Sequence, residues 1–192
     1  MMRFDRFTER AQDAAARAYE ILQRYGHSQV DTEHILMALI EQPEGLVGGI
    51  VEKLGVDPNA VVSKLDDVLR ASPRVGIYGS GATAQVFITP RVKKILDVAN
   101  EEANRLKDEY ISTEHIFLAI STERNTSAAK IMADVGITRE KIMDIVTRRG
   151  LLGDGIAWPG TNAIDGNGPE SSGHCRYSCV VINAIEFGSA EY

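Results

Sequence analysis

Apolar residues recur at intervals of three and four along most of the chain, which is the period of a helix with one buried face. The first such stretch has its apolar and small residues at Ala11, Ala14, Ala15, Ala18, Ile21, Leu22 and Tyr25. Comparable stretches continue through residue 149 and are separated by glycine, proline and helix-capping residues. The pattern predicts an all-α fold of eight short helices, which must be stabilised mainly by packing against one another.

Capping residues predict where these helices begin and end. A serine, threonine or aspartate before a helix accepts a hydrogen bond from its free N–H groups, and proline is tolerated at the first helical position. Gly26 and Gly55 are placed to end the first and third helices, and Pro43 with Gly45 ends the second. The predicted N-caps are Thr8, Asp31 or Thr32, Asp57, Thr89, Ser112 or Thr113, and Thr138.

The sequence contains an internal repeat. The tetrapeptide Thr-Glu-His-Ile at residues 32–35 returns at residues 113–116, an offset of 81 residues that continues without a gap to either side. Solenoid repeats have periods of roughly 20–50 residues, so this offset indicates a duplicated subdomain of four helices. We expect the first repeat at residues 1–72, a glycine-rich linker at 73–87 and the second repeat at 88–150.

Residues 151–192 differ from the rest of the chain. They match neither repeat, and glycines punctuate them throughout. A single short strand is conceivable there, but a lone strand has nothing to pair with. We expect this tail to be either an extension without fixed structure or a junction foreign to the domain.

The charge is unevenly distributed. The 192 residues carry a net charge of −6, of which residues 151–192 contribute −4, leaving −2 for the repeated part. A nearly neutral body without a basic stripe argues against a nucleic-acid partner. No apolar run approaches the roughly 18 residues of a membrane span, and the N-terminus has no secretory h-region. A cytoplasmic protein without a membrane partner is therefore expected.

The repeated Glu-His pairs, Glu33-His34 and Glu114-His115, suggest metal or acid–base chemistry at first sight. Neighbouring helical residues, however, point about 100° apart, and helical metal sites use Glu-x-x-His or His-Glu-x-x-His spacing, which does not occur here. We interpret the histidines as packing residues with hydrogen-bonded rings. No metal and no cofactor are predicted.

Enzyme motifs are missing from the sequence. The tail contains His174, Cys175 and Cys179, which together are short of a four-ligand zinc site. No Gly-x-x-x-x-Gly-Lys-Ser/Thr phosphate loop and no serine nucleophile elbow occur. We therefore expect a chain without catalytic activity of its own.

Two residue types recur where a ligand could bind. Thr8 and Thr89 each begin a helix, whose free N–H groups favour anions. Glu33 and Glu114 lie in the first turns of two other helices. Their carboxylates either stabilise the helix dipole alone or accept a hydrogen bond from a guanidinium placed beside the anion site. The sequence leaves both interpretations open.

Three motifs in this register resemble one family. Phe-Thr-Glu-Arg-Ala at residues 7–11, Thr-Glu-His-Ile at 32–35 and 113–116, and Ile-Thr-Pro-Arg at 88–91 are similar to the Clp repeat domain, the N-terminal domain of the Clp/Hsp100 AAA+ unfoldases. The resemblance covers about residues 3–149 and is strongest to the ClpC type. It implies two tandem four-helix repeats with pseudo-twofold symmetry.

The resemblance also implies a function. Domains of this family recruit substrate proteins and adaptor proteins to an attached AAA+ ring, and those of the ClpC type bind proteins marked with phosphoarginine. Carried over, Thr8 with Glu33 and Thr89 with Glu114 would form two phosphoarginine sites. ClpB domains share the same plan. An alternative is a stand-alone Clp-repeat protein that regulates a chaperone–protease from outside.

Overall fold

The computed structural model describes residues 6–43, 45–74 and 87–151. The predicted linker at 75–86 and the tail at 152–192, with its histidine and cysteines, lie outside the described residues. Eight helices and two short strands occur within them, in the order α1 (Glu9–Tyr25), β1 (Gln29–Val30), α2 (Thr32–Glu41), α3 (Leu46–Lys53), α4 (Pro58–Ala71), β2 (Phe87–Ile88), α5 (Pro90–Leu106), α6 (Thr113–Thr122), α7 (Ser127–Asp134) and α8 (Arg139–Leu151). The predicted all-α fold of two four-helix repeats is confirmed.

The predicted caps define these helices. The Thr8 hydroxyl accepts a hydrogen bond from the Ala11 N–H at 3.2 Å, and Asp57 caps α4 with Pro58 at its first position. Asp31, rather than Thr32, is the N-cap of α2. At the end of α1, Gly26 adopts a φ of 69°, a left-handed conformation that glycine reaches at little cost.

The two strands are the feature that the sequence did not predict. β1 and β2 pair in parallel, with Val30 opposite Ile88, although they belong to different repeats. A second, isolated bridge joins Phe7 to Ile111. Adding the repeat offset of 81 to Phe7 and Val30 gives Ile88 and Ile111, so the two bridges are related by the internal pseudo-twofold symmetry.

One continuous core joins the repeats. Helices α2 and α6 contact each other near the symmetry axis, α3 packs on α6, and α2 and α4 pack on α7. Fully buried apolar side chains line these contacts, among them Leu36, Leu39, Ile50, Phe117, Leu118 and Ile120. Ile35, which the sequence placed on the buried face of α2, is only half-buried. None of the described helices is long and apolar enough to cross a membrane.

Candidate functional site

Backbone hydrogen bonds between the two repeats bring helix N-termini together in pairs. The Thr89 N–H donates to the Val30 carbonyl oxygen at 3.0 Å, which places the start of α5 beside the start of α2. Symmetrically, the Thr8 N–H donates to the Ile111 carbonyl oxygen at 3.0 Å, which places the start of α1 beside the start of α6. We call these places the α2/α5 junction and the α1/α6 junction.

This geometry separates the pairs predicted within each repeat. The Gln42 side chain donates to the Arg10 carbonyl oxygen at 3.0 Å, so the start of α1 lies against the end of α2. Glu33 is in the first turn of α2, nine residues before Gln42, or about 14 Å along a helix rising 1.5 Å per residue. In the second repeat, Lys94 bonds to Glu123 at 2.7 Å in the equivalent way.

The helix N-termini instead meet across the repeats. Thr89 lies at the junction where α2 begins with Glu33 in its first turn, and Thr8 lies at the junction where α6 begins with Glu114. The within-repeat pairing follows the linear order of the chain. The pairing of helix N-termini across the repeats follows from the parallel strand pairing between them, and this strand pairing is seen only in the folded structure.

The α2/α5 junction already holds an anion, the Asp31 carboxylate. Its Oδ1 accepts from the Thr32 N–H at 2.8 Å and from the Thr89 hydroxyl at 3.0 Å. Its Oδ2 lies 3.4 Å from Nη1 of Arg91. The carboxylate therefore joins the two helix starts and neutralises one cation between them.

The α1/α6 junction has a serine at the equivalent position. Ser112 is the N-cap of α6, and its hydroxyl lies 2.8 Å from Nδ1 of His115. Thr8 accepts from Ala11, and within the described contacts no acceptor is recorded for its hydroxyl hydrogen. The N-cap of α6 thus supplies a neutral hydroxyl where the N-cap of α2 supplies a carboxylate.

The two glutamates differ in burial. Glu33 is only 7% exposed, and within the part of the chain that the structure describes no hydrogen bond or ion pair to its carboxylate is recorded. Glu114 is half-buried and accepts a hydrogen bond from the Thr113 hydroxyl at 3.4 Å. Because no described side chain pairs with the Glu33 carboxylate, Glu33 is a candidate for pairing with an incoming cation.

The histidines cap helices, a role that sequence reasoning missed. Nδ1 of His34 accepts from the Asp31 N–H at 3.0 Å, and Nδ1 of His115 accepts from the Ser112 N–H at 3.0 Å. Each forms a capping box in which histidine takes the place usually held by glutamate or glutamine. The signal was available, because each His lies three residues after the N-cap. Both rings are buried and hydrogen-bonded, as predicted.

The second nitrogen of each ring distinguishes the repeats. Nε2 of His115 lies 3.0 Å from a carboxylate oxygen of Asp108, whereas Nε2 of His34 lies 2.8 Å from Nδ1 of His27. A hydrogen bond between two imidazoles needs one donor and one acceptor, so the two rings cannot both be protonated while it is formed. Burial, and secondarily the neighbouring His27, lowers the pKa of His34 to about 4, and burial also lowers the pKa of His27.

No group of three or more His, Cys, Asp or Glu side chains that could hold a metal ion occurs within residues 6–43, 45–74 and 87–151. The polar residues at the junctions form helix caps and surface ion pairs. Their arrangement is suited to binding a charged group by hydrogen bonds.

Comparison with known proteins identifies this architecture. The Clp repeat (R) N-terminal domain family matches residues 6–135. The chain belongs to this family. This Clp repeat domain is 36% identical over 146 residues to the chaperone protein ClpB of Nitratidesulfovibrio vulgaris, covering 76% of the chain and 17% of that protein.

ClpC proteins are comparably similar to this Clp repeat domain. The negative regulator of genetic competence ClpC/MecB of Bacillus subtilis is 32% identical over 165 residues, covering 84% of the chain and 19% of that protein. The ClpC subunit of Staphylococcus aureus is 32% identical over 142 residues, covering 73% and 16%. The chain thus spans less than a quarter of the length of these relatives.

Solved structures share the fold. The N-terminal domain of ClpD from Arabidopsis thaliana superposes with a TM-score of 0.58 at 21% identity, covering 78% of this chain and 97% of that one. The Hsp104 N-terminal domain of Candida albicans gives a TM-score of 0.62 at 21% identity, covering 75% and 91%. A ClpV N-domain in complex with a VipB peptide gives 0.54 at 19% identity, covering 72% and 82%.

Proposed function

We propose that this Clp repeat domain is a non-catalytic module that binds substrate and adaptor proteins for a ClpC-type, ATP-dependent unfoldase, and that it recognises phosphoarginine. The observation that carries the proposal is the junction geometry. Each junction places a threonine-capped helix start against another helix start with a glutamate in its first turn.

The chemistry of phosphoarginine suits such a junction. Its phosphoryl group is an anion that accepts hydrogen bonds from helix N–H groups and from a threonine hydroxyl. Its guanidinium is a cation whose N–H groups pair with a carboxylate in a charge-assisted hydrogen bond. Thr8 with Glu114, and Thr89 with Glu33, supply these two partners across the repeats.

We extend the proposal to the partners of the domain. ClpB and ClpC relatives are several times longer than this chain, and we propose that an AAA+ ring accompanies the domain in the cytoplasm, either in the same polypeptide or as a separate subunit. The second case makes the protein a stand-alone regulator of a Clp chaperone–protease. A reading frame that continues into a Walker A motif would favour the first case; an independent gene would favour the second.

A calorimetric titration of the chain with phosphoarginine tests the proposal. We expect saturable binding that the double variant Glu33→Gln/Glu114→Gln abolishes, because glutamine keeps the side-chain shape and removes the charge that pairs with guanidinium. Inorganic phosphate and unmodified arginine serve as control ligands. Absence of phosphoarginine binding by the unaltered chain would overturn the phosphoarginine proposal and leave adaptor docking as the function.

The variants must keep the fold for this test to be decisive. Each glutamate contributes only a first-turn charge, worth under about 1 kcal/mol, so the free energy of unfolding in urea should change by no more than that amount. Glu102→Gln is the matched control, because Glu102 is a buried residue, 8% exposed, whose carboxylate pairs with Arg105 and Arg139. A larger loss at Glu33 or Glu114 than at Glu102 would show that the junction glutamates are structural.

A further inference from the structure

The two junctions are equivalent by symmetry but differ at one position. Asp31 at the α2/α5 junction corresponds to Ser112 at the α1/α6 junction, 81 residues later. Both residues are N-caps, and both begin a capping box with a histidine. The difference between them is a negative charge, placed where two helix starts meet.

The Asp31 carboxylate takes up the donors that an external anion would use. It accepts hydrogen bonds from the Thr32 N–H and from the hydroxyl of Thr89, the cap of the neighbouring helix. It also lies within 3.4 Å of the Arg91 guanidinium, the nearest cation recorded at this junction. A phosphoryl group entering here would have to displace these bonds and approach a fixed carboxylate of the same charge.

At the position equivalent to Asp31, the α1/α6 junction has Ser112, which carries no charge. Ser112 bonds to the His115 ring, and its neutral hydroxyl does not repel a phosphoryl group. Glu9, in the first turn of α1, is an exposed side chain rather than a bridge between the two helix starts. Arg10, the counterpart of Arg91, donates to the Pro43 carbonyl oxygen at 3.4 Å, just beyond the C-terminal end of α2.

Glu33 shows what the α2/α5 junction can still bind. Glu33 is 7% exposed as a residue, and within the described residues its carboxylate has no hydrogen-bond or ion-pair partner. A guanidinium would satisfy this carboxylate without needing the helix N–H groups that Asp31 already occupies.

We propose that Asp31 is a specificity-determining residue: it makes the α2/α5 junction reject the phosphoryl group and accept an unmodified arginine side chain, so that phosphoarginine binds only at the α1/α6 junction. This inference rests on the proposed function and assigns a different ligand to each of its two sites.

Reciprocal exchange of the two caps tests this inference. Asp31→Ser gives the α2/α5 junction the N-cap of the α1/α6 junction, and Ser112→Asp gives the α1/α6 junction the N-cap of the α2/α5 junction. Both variants should fold, because serine and aspartate are comparably good N-caps and each already caps the equivalent helix of this chain. Circular dichroism of each variant checks that the helix content is unchanged.

Calorimetry with phosphoarginine should give one binding site in the unaltered chain and two in Asp31→Ser. In Ser112→Asp we expect no site whose affinity is within tenfold of the original value. A blocked arginine derivative, probed by chemical-shift changes, should perturb the α2/α5 junction of the unaltered chain and lose this effect in Glu33→Gln. Glu102→Gln serves as the matched control, because Glu102 lies outside both junctions, and it should leave the arginine signal unchanged.

The outcomes separate the two proposals. Two equal phosphoarginine sites in the unaltered chain would overturn the role of Asp31 and leave the proposed function standing. A single site that Glu33→Gln removes, or an arginine signal that Glu33→Gln leaves intact, would also overturn this inference. No phosphoarginine binding by the unaltered chain or by Asp31→Ser would overturn both.

Discussion

At the scale of single residues, His27 and His34 make the first repeat sensitive to acid. The folded state holds the pKa of His34 at about 4, below its usual value of 6.5, because the ring is buried and faces another imidazole. The unfolded chain therefore binds more protons between these two pH values. The contribution of His34 to stability is fully present above pH 6.5, falls as the pH drops through this window, and levels off near pH 4.

We predict that unfolding in urea at pH 5 requires about 2 kcal/mol less free energy than at pH 7, from His34 alone. His27→Asp should reduce this difference, because it copies the Asp108–His115 pair and gives the His34 ring a carboxylate that stabilises its protonated form. His27→Asn is the control, since it removes the titration of His27 without adding a charge. Equal pH dependence in the two variants would contradict this explanation.

Residue identities predicted some of this chemistry and not the rest. The histidines were correctly interpreted as buried and hydrogen-bonded, because their spacing fits no helical metal site. The partners of those rings could not be predicted, because His27 and Asp108 lie seven residues before them in loops whose path depends on packing. The roles of Thr8, Thr89, Glu33 and Glu114 as ligand-binding residues stay predictions.

At the scale of helices and strands, the elements with the strongest local signals were predicted best. Helix-end signals act within a few residues, so they can be recognised in the sequence. These signals are threonine and aspartate caps, proline at the first helical position and glycine after the last turn. Strands β1 and β2 are two residues each. No alternation can be recognised over two residues, and their pairing joins segments 58 positions apart, such as Val30 with Ile88.

The short helix α3 should depend strongly on one side chain. Ile50 is 0% exposed, and its truncation to alanine should lower the free energy of unfolding by about 2–5 kcal/mol, because a cavity replaces buried methyl groups. Ile131→Ala should have a similar effect on α7. Glu52→Ala, on the exposed side of α3, is the control and should change stability by less than about 0.5 kcal/mol. A loss at Ile50 no larger than the control would refute its place in the core.

At the scale of the whole molecule, the repeats are parts of one folding unit. Helix α4 of the first repeat packs on α7 of the second, α3 packs on α6, and strand β1 pairs with β2. Each repeat also contributes one segment to a junction built with the other. Each junction between helix starts therefore forms only when both repeats are folded together.

We predict a single cooperative thermal transition for the described part of the chain. Calorimetric and van't Hoff enthalpies should agree, and Ile50→Ala and Ile131→Ala should each lower the midpoint of that same transition, although they lie in different repeats. Two resolved transitions, with each variant shifting only one of them, would show instead that the repeats unfold independently.

The sequence by itself determined the duplication, the eight helices, their caps and the all-α class, because helical period and capping chemistry are local. The tertiary structure alone decided which helix starts meet. Antiparallel packing of α1 on α2 carries Thr8 away from Glu33, and parallel pairing between the repeats brings Thr89 to Asp31. The order of residues along the chain does not show which helix starts meet, because their pairing arises when two apolar surfaces are buried against each other around a pseudo-twofold axis.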